Sequence, residues 1–399
     1  MKRYFQSGNK GLLLIEQGLN SSLSFAAVAL IYSKGSDKIV TQIALSTTFG
    51  YGVSAVLKSK LITNLYLRNG IANTQNQNFV ITQVRLRMIN FFFLCPVVPL
   101  LSLLSGRISF IFALQLSFLI YFITCLDLIR NLLIYCEKLK STIISASFGL
   151  ITFIFLNLIF ISPESNMQIT FWIISLFLSF FSICILEKTF IFQEIADKTK
   201  VPDTLIRDSK NSTIESLLTT TTNFISYFLI SHYFVSFGAH IQRTYIIFCA
   251  LPMMVSLAIT PYINLLFRRK RVAASERLLH LLSLESMFLF FPLLVIHTPI
   301  VDFFDLSASR PDNYFLFAVL VYSALNVFFF VYGVWIRTFW GFRKFFLIRA
   351  CYLFVQNFLV LFCVHFLGIG SFFYVELATL VLMIILWVLI EISIRRSET

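Results

Sequence analysis

Apolar runs of roughly 17 to 25 residues alternate with short polar breaks from one end of this chain to the other, the pattern of successive membrane-spanning helices. Twelve runs can be placed, near residues 12–32, 39–62, 88–105, 108–135, 142–162, 168–190, 213–237, 244–267, 281–303, 314–336, 343–367 and 369–392. The longest polar segments between them fall at about 63–87 and 192–212. The second, EIADKTKVPDTLIRDSKNS, lies at the midpoint and reads as a linker between two halves. The pattern therefore predicts an all-α integral membrane protein with about twelve transmembrane helices: a six-helix lobe over 1–192, a cytoplasmic linker over 193–212 and a second six-helix lobe over 213–399. Pro96 and Pro99 in the third run predict a kink, because proline removes a helix hydrogen bond.

The first run, GLLLIEQGLNSSLSFAAVALIY, departs from uniform apolarity. Glu16, Gln17, Asn20, Ser21 and Ser24 fall within an arc of about 140° at about 100° per residue, so they form one polar stripe on a greasy helix. Such a stripe faces a protein interior or a watery cavity, since an ionisable group in hydrocarbon is costly. The basic segment before it and the small residues Ala27, Val28 and Ala29 raise the possibility of a cleaved signal peptide; the embedded polar residues favour a retained helix.

A shift of 199 residues places Glu16 on Glu215, Leu19 on Leu218, Phe25 on Phe224, Leu30 on Leu229 and Ile31 on Ile230. The stripe recurs with it: Gln17, Asn20, Ser21 and Ser24 meet Ser216, Thr219, Thr220 and Asn223. With six helices between the copies, the two lobes are expected to run parallel.

Composition strengthens the membrane reading, with 58% hydrophobic residues and 13% charged among 399, where soluble domains carry about a quarter charged. The net charge of +13 points to nucleic acid in a soluble protein, but here it follows the loops. In the twelve-span layout 27 of the 32 Lys and Arg residues fall on the side of the termini, and only Lys34, Lys38, Arg107, Arg243 and Arg310 fall opposite. By the positive-inside rule both termini are cytoplasmic, and no nucleic-acid partner is expected. The seven cysteines are an odd number without CxxC spacing and read as small core residues.

Chemistry-bearing motifs are sparse. The five histidines are scattered without metal spacing, and neither a GxxxxGK[ST] loop nor GxSxG occurs, so no metal, cofactor or ATP hydrolysis is expected and nothing asks for an enzyme. The candidates are ionisable and polar residues in or beside spans. Glu16 and Glu215, with Gln17, Asn20, Ser24, Thr219 and Asn223, are candidates for a cavity wall binding substrate or a coupling cation; the plainer reading of the two carboxylates is a solvated place near a helix N-terminus. Asp127 and Arg130, at i,i+3, read as a structural or gating pair. Lys58 and Lys60 close the second span and are candidate head-group contacts, or simply snorkel.

The first helix with its continuation, LLLIEQGLNSSLSFAAVALIYSKGSDKIVTQIALS, and the stretch LDLIRNLLIYCEKLKSTIISASFG resemble the polysaccharide- and O-antigen-exporting branch of the multidrug/oligosaccharidyl-lipid/polysaccharide (MOP) flippase superfamily. The likeness lies in a polar dipeptide before a small residue with Asn and Ser one turn later, and in the Asp-x-x-Arg of Asp127 and Arg130. It implies two six-helix lobes around a cavity open alternately to each face of a bacterial cytoplasmic membrane. It also implies a glycan carried on an undecaprenyl-pyrophosphate lipid as substrate, flipped by alternating access. A membrane polysaccharide polymerase or glycosyltransferase and a multidrug exporter of the same fold are the alternatives. Basic residues crowd the cytoplasmic edges rather than the midplane, which fits a neutral or amino-sugar head group better than an anionic one.

Overall fold

A computed structural model describes residues 7–59, 61, 74–106, 108–136, 138–160 and 164–188, with further single positions within 213–224 and 350–392. The chain forms two compact units, Met1–Gln242 and Arg243–Thr399. Regular structure among the described residues is helical, with no strand. Seven helices among the described residues lie in the first unit: α1 (Ser7–Lys34), α2 (Asp37–Lys58), α3 (Thr74–Leu94), α4 (Val97–Leu104), α5 (Phe110–Tyr135), α6 (Leu139–Ile159) and α7 (Ser165–Leu186). The stretches Asp37–Lys58, Val80–Leu104, Phe110–Ile134, Leu139–Ile159 and Ser165–Leu186 are long and apolar enough to cross a membrane. To these α1 adds a 28-residue helix carrying the polar stripe. The chain is a multi-pass membrane protein.

Helix ends follow local chemistry. Gly35 closes α1: its N–H bonds the Ile31 carbonyl at 2.7 Å, and a Cβ there would lie 2.6 Å from that oxygen. The Ser109 side chain accepts from the Phe112 N–H at 3.3 Å and caps α5. Gly106, with φ of 68°, ends α4 in the left-handed region open to glycine.

The third span differs from its sequence reading in two ways. It was expected near 88–105, after a polar segment reaching Arg87, but helix α3 starts at Thr74. The reason is tertiary: Val80, Ile81 and Val84 bury against Leu61, Leu128 and Leu132, which draws the helix through Arg85 and Arg87. It then breaks at the expected proline. Pro96 cannot donate to the Phe92 carbonyl, and the Cys95 thiol donates to that oxygen instead, at 3.0 Å. Helix α4 resumes at Val97.

Helix α5 is central, packing against α2, α3, α4, α6 and α7, and Leu116, Leu119, Ile120, Leu128 and Leu133 along it are fully buried. Helices α6 and α7 cross closely on small residues. The Ser145 hydroxyl donates to the Ser179 carbonyl at 2.6 Å, and the Ser179 hydroxyl returns a bond to the Ser145 carbonyl at 3.1 Å. Gly149 completes the crossing, because a Cβ there would overlap the Ser179 hydroxyl.

Candidate functional site

Three helices bring charged side chains together at one end of the first unit. Glu16 of α1 is fully buried, and Arg130 of α5 grips it with two parallel bonds, Nε to Oε1 and Nη2 to Oε2, the second at 2.9 Å. The same guanidinium donates to the Gln17 side-chain oxygen, while the Gln17 amide donates to Ser21 at 3.0 Å. A planar fork on a carboxylate is the strongest form of such a pair and fixes orientation as well as charge. Arg130 also lies 3.7 Å from Asp127, the expected i,i+3 neighbour.

Asp127 extends the network to α2. Lys58 approaches its Oδ2 at 2.6 Å and the Ser54 hydroxyl donates to the same oxygen at 2.5 Å. Asn131 donates to its Oδ1 at 2.9 Å and to its backbone carbonyl at 2.6 Å. Among the described residues, Glu16, Arg130, Asp127 and Lys58 thus form a run of alternating charges, two of each sign, that ties α1, α5 and α2 together. Burying an ion is expensive, and a closed set with every oxygen engaged is the arrangement that offsets the expense.

Three groups that the sequence suggested separately are one assembly here: a stripe carboxylate, the Asp127–Arg130 pair and the Lys58 head-group candidate. Asn20 is half-buried on α1, and its side chain makes no hydrogen bond among the described residues. Ser24 reaches Tyr51 of α2, hydroxyl to hydroxyl, at 3.2 Å. Lys60, Glu215, Thr219 and Asn223 lie outside the described residues. Their neighbours Ser216, Thr220 and Phe224 are described, and all three lie against α2. The Ser216 and Ser59 hydroxyls are 2.5 Å apart, Thr220 donates to the Gly52 carbonyl at 3.3 Å, and the Phe224 and Phe49 rings are 5.8 Å apart.

Helical spacing sorts the faces of α2. With Phe49 at zero and about 100° per residue, Gly50 falls at about 100° and Ser54 at about 140°, facing α5. Gly52 falls at about 300° and Ser59 at about 280°, facing the 213–224 stretch. Tyr51 falls at about 200° and Lys58 at about 180°, between those two contacts. There Tyr51 is 42% exposed although its hydroxyl is engaged. The result is a polar wall of Asn20, Ser24 and Tyr51 beside the paired charges of Glu16, Arg130, Asp127 and Lys58. Sequence reasoning missed Ser54 and Tyr51; the available signal for Tyr51 was a phenol in mid-span, where an aromatic with a polar tip needs a partner. No group of three or more His, Cys, Asp or Glu residues that could hold a metal occurs among the described residues.

No family model matches the sequence, and no curated protein matches it either. Solved structures do match. One is an outward-facing multidrug resistance MATE family transporter of the MOP superfamily, at a TM-score of 0.67 and 12% identity over 97% of this chain and 95% of that one. Another is a MATE protein in a bent conformation, at 0.61 and 12% over 97% and 94%. A third is a MOP superfamily transporter from Pyrococcus furiosus, described as having a binding pocket of reverse polarity that suggests a different function, at 0.64 and 11% over 95% and 94%. At such identity the likeness establishes the fold: this chain is built as the MATE transporters of the MOP superfamily are.

Proposed function

We propose that this chain is a MOP-superfamily transporter that moves a lipid-linked oligosaccharide or polysaccharide repeat unit across the bacterial cytoplasmic membrane by alternating access. The observation that carries the reading is this charge network. Because Glu16, Asp127, Arg130 and Lys58 engage one another, the wall of Asn20, Ser24 and Tyr51 beside them offers hydroxyl and amide groups and, among the described residues, no unpaired carboxylate. A wall of that kind suits a hydroxyl-rich head group and is a poor binder of cations. The lipid, of undecaprenyl-pyrophosphate type, would keep its tail in the bilayer while the head group passes down a hydrophilic cavity. An ion gradient or downstream consumption of the product would drive the step. The fold and the sequence resemblance support the superfamily; the resemblance of the first helix and of the Asp127–Arg130 stretch supports the glycan branch.

The test is a deletion strain without a paralogue. Lipid-linked repeat units should accumulate on the cytoplasmic face; their normal arrival on the outer face would defeat the proposal. The second reading, a drug exporter of the same fold, is favoured by the likeness to a multidrug resistance MATE transporter. It predicts drug sensitivity in the deletion strain with surface glycan intact.

A further inference from the structure

The face of α2 between its two packed sides carries one large side chain that the ionic network does not use. Tyr51 lies seven residues from Lys58, about 10 Å further into the span. Its hydroxyl is held by Ser24 at 3.2 Å, which fixes the edge of the ring. The residue as a whole stays 42% exposed. Its hydroxyl partner Ser24 belongs to the polar stripe of α1, which cannot face hydrocarbon, so the exposed side of Tyr51 opens onto that stripe rather than onto the bilayer. One turn along α1 from Ser24, the half-buried Asn20 side chain makes no hydrogen bond among the described residues. An amide offers donors and an acceptor together, the functionality that pairs with vicinal hydroxyls. A fixed aromatic face beside an unused amide is suited to a ring with apolar C–H faces and a polar rim.

Building on the transport reading, we propose that Tyr51 is the specificity-determining residue of this polar wall: its ring stacks against an uncharged sugar of the transported head group while Asn20 bonds the sugar hydroxyls. The neighbouring charges do not compete, since each is already paired within the protein. The role of the tyrosine rests on its ring rather than its hydroxyl, which separates stacking from a purely structural tie to Ser24.

The test uses the full chain in nanodiscs, with saturation-transfer NMR reporting contact to maltotriose, a hexuronic acid disaccharide or ethidium. Wild type should bind maltotriose in preference to the acidic disaccharide. Tyr51→Phe should bind within about twofold of wild type, whereas Tyr51→Ala and the bulk-keeping Tyr51→Leu should bind about tenfold more weakly. Thermal unfolding identifies any variant that fails to fold, and Tyr51→Leu then stands in for Tyr51→Ala. Equal binding by wild type and Tyr51→Leu overturns the proposal, as does absence of maltotriose contact on wild type. Ethidium contact that disappears in Tyr51→Leu also overturns it, by giving the ring to a cationic aromatic ligand. Glycan export in the deletion strain is scored separately, so normal export by Tyr51→Leu in a complemented strain removes the tyrosine assignment and leaves the transport reading standing.

Discussion

Toward α5, helix α2 presents Gly50 and Ser54, with Lys58 at the edge of that face; toward the 213–224 stretch it presents Phe49, Gly52 and Ser59. The α5 side is joined by an ion pair, by a hydroxyl bond to Asp127 and by the Thr124 hydroxyl donating to the Gly50 carbonyl at 2.9 Å. Among the described residues the other side shows two contacts through hydroxyls and one pair of tilted rings. Charge-assisted bonds are roughly twice as strong as neutral ones, so among the described contacts α2 is held more firmly to α5 than to the 213–224 stretch. Two packed faces of one helix are thus held by different chemistry.

The largest expected effect comes from breaking the fastened side. Arg130→Leu leaves the Glu16 carboxylate buried without its partner and should lower stability by about 3–5 kcal/mol, read as a fall in unfolding temperature in detergent. Replacing Glu16 and Arg130 together by leucine should recover most of that loss, and an additive double variant would show that the pair is not coupled. Next is a glycine comparison within one helical turn. A Cβ on Gly52 would overlap the Thr220 methyl, whereas one on Gly50 would meet Ile120 and Thr124 at an ordinary 3.5 Å. Gly52→Ala should thus reduce disulfide formation between cysteines placed at Ser59 and Ser216 several-fold, and Gly50→Ala should leave it unchanged. Equal cross-linking in both would erase the distinction between the faces.

A smaller effect is expected at Lys58, which is 27% exposed against 13% for Asp127. Because that pair is partly screened, Lys58→Ala should cost about 1 kcal/mol or less in the same melt. Smallest is Ser59→Ala, which removes one hydroxyl contact of the lighter side; a change of about 0.5 kcal/mol or less is expected. A loss at Ser59 as large as that at Arg130 would reverse the ranking of the two faces.

Much of this architecture is written in local pattern. Hydropathy locates the helices of the first unit, Pro96 announces the break between α3 and α4, and i,i+3 spacing pairs Asp127 with Arg130. What hydropathy does not carry is contact between distant segments. Glu16 and Arg130 are 114 positions apart, so their pairing appears only when α1 and α5 are packed. The same holds for the start of α3, where Val80 and Val84 keep a polar segment helical by burying against α5. Tyr51 escaped notice because within an apolar run its ring counts as greasy and its hydroxyl goes unweighed.

The mutual serine bonds of α6 and α7 carry a consequence for how such a chain can drift over generations. Most positions of a lipid-facing helix tolerate exchange among large apolar residues, since the bilayer asks only for greasiness. At Gly149 the space for a β-carbon is already taken by Ser179, and at Ser145 and Ser179 each hydroxyl answers the other's backbone. Substitution at this crossing is confined to a very small alphabet, and a change at one member shifts what its neighbour can become. Two helices that look interchangeable with lipid-exposed scenery are thereby held to a shared history.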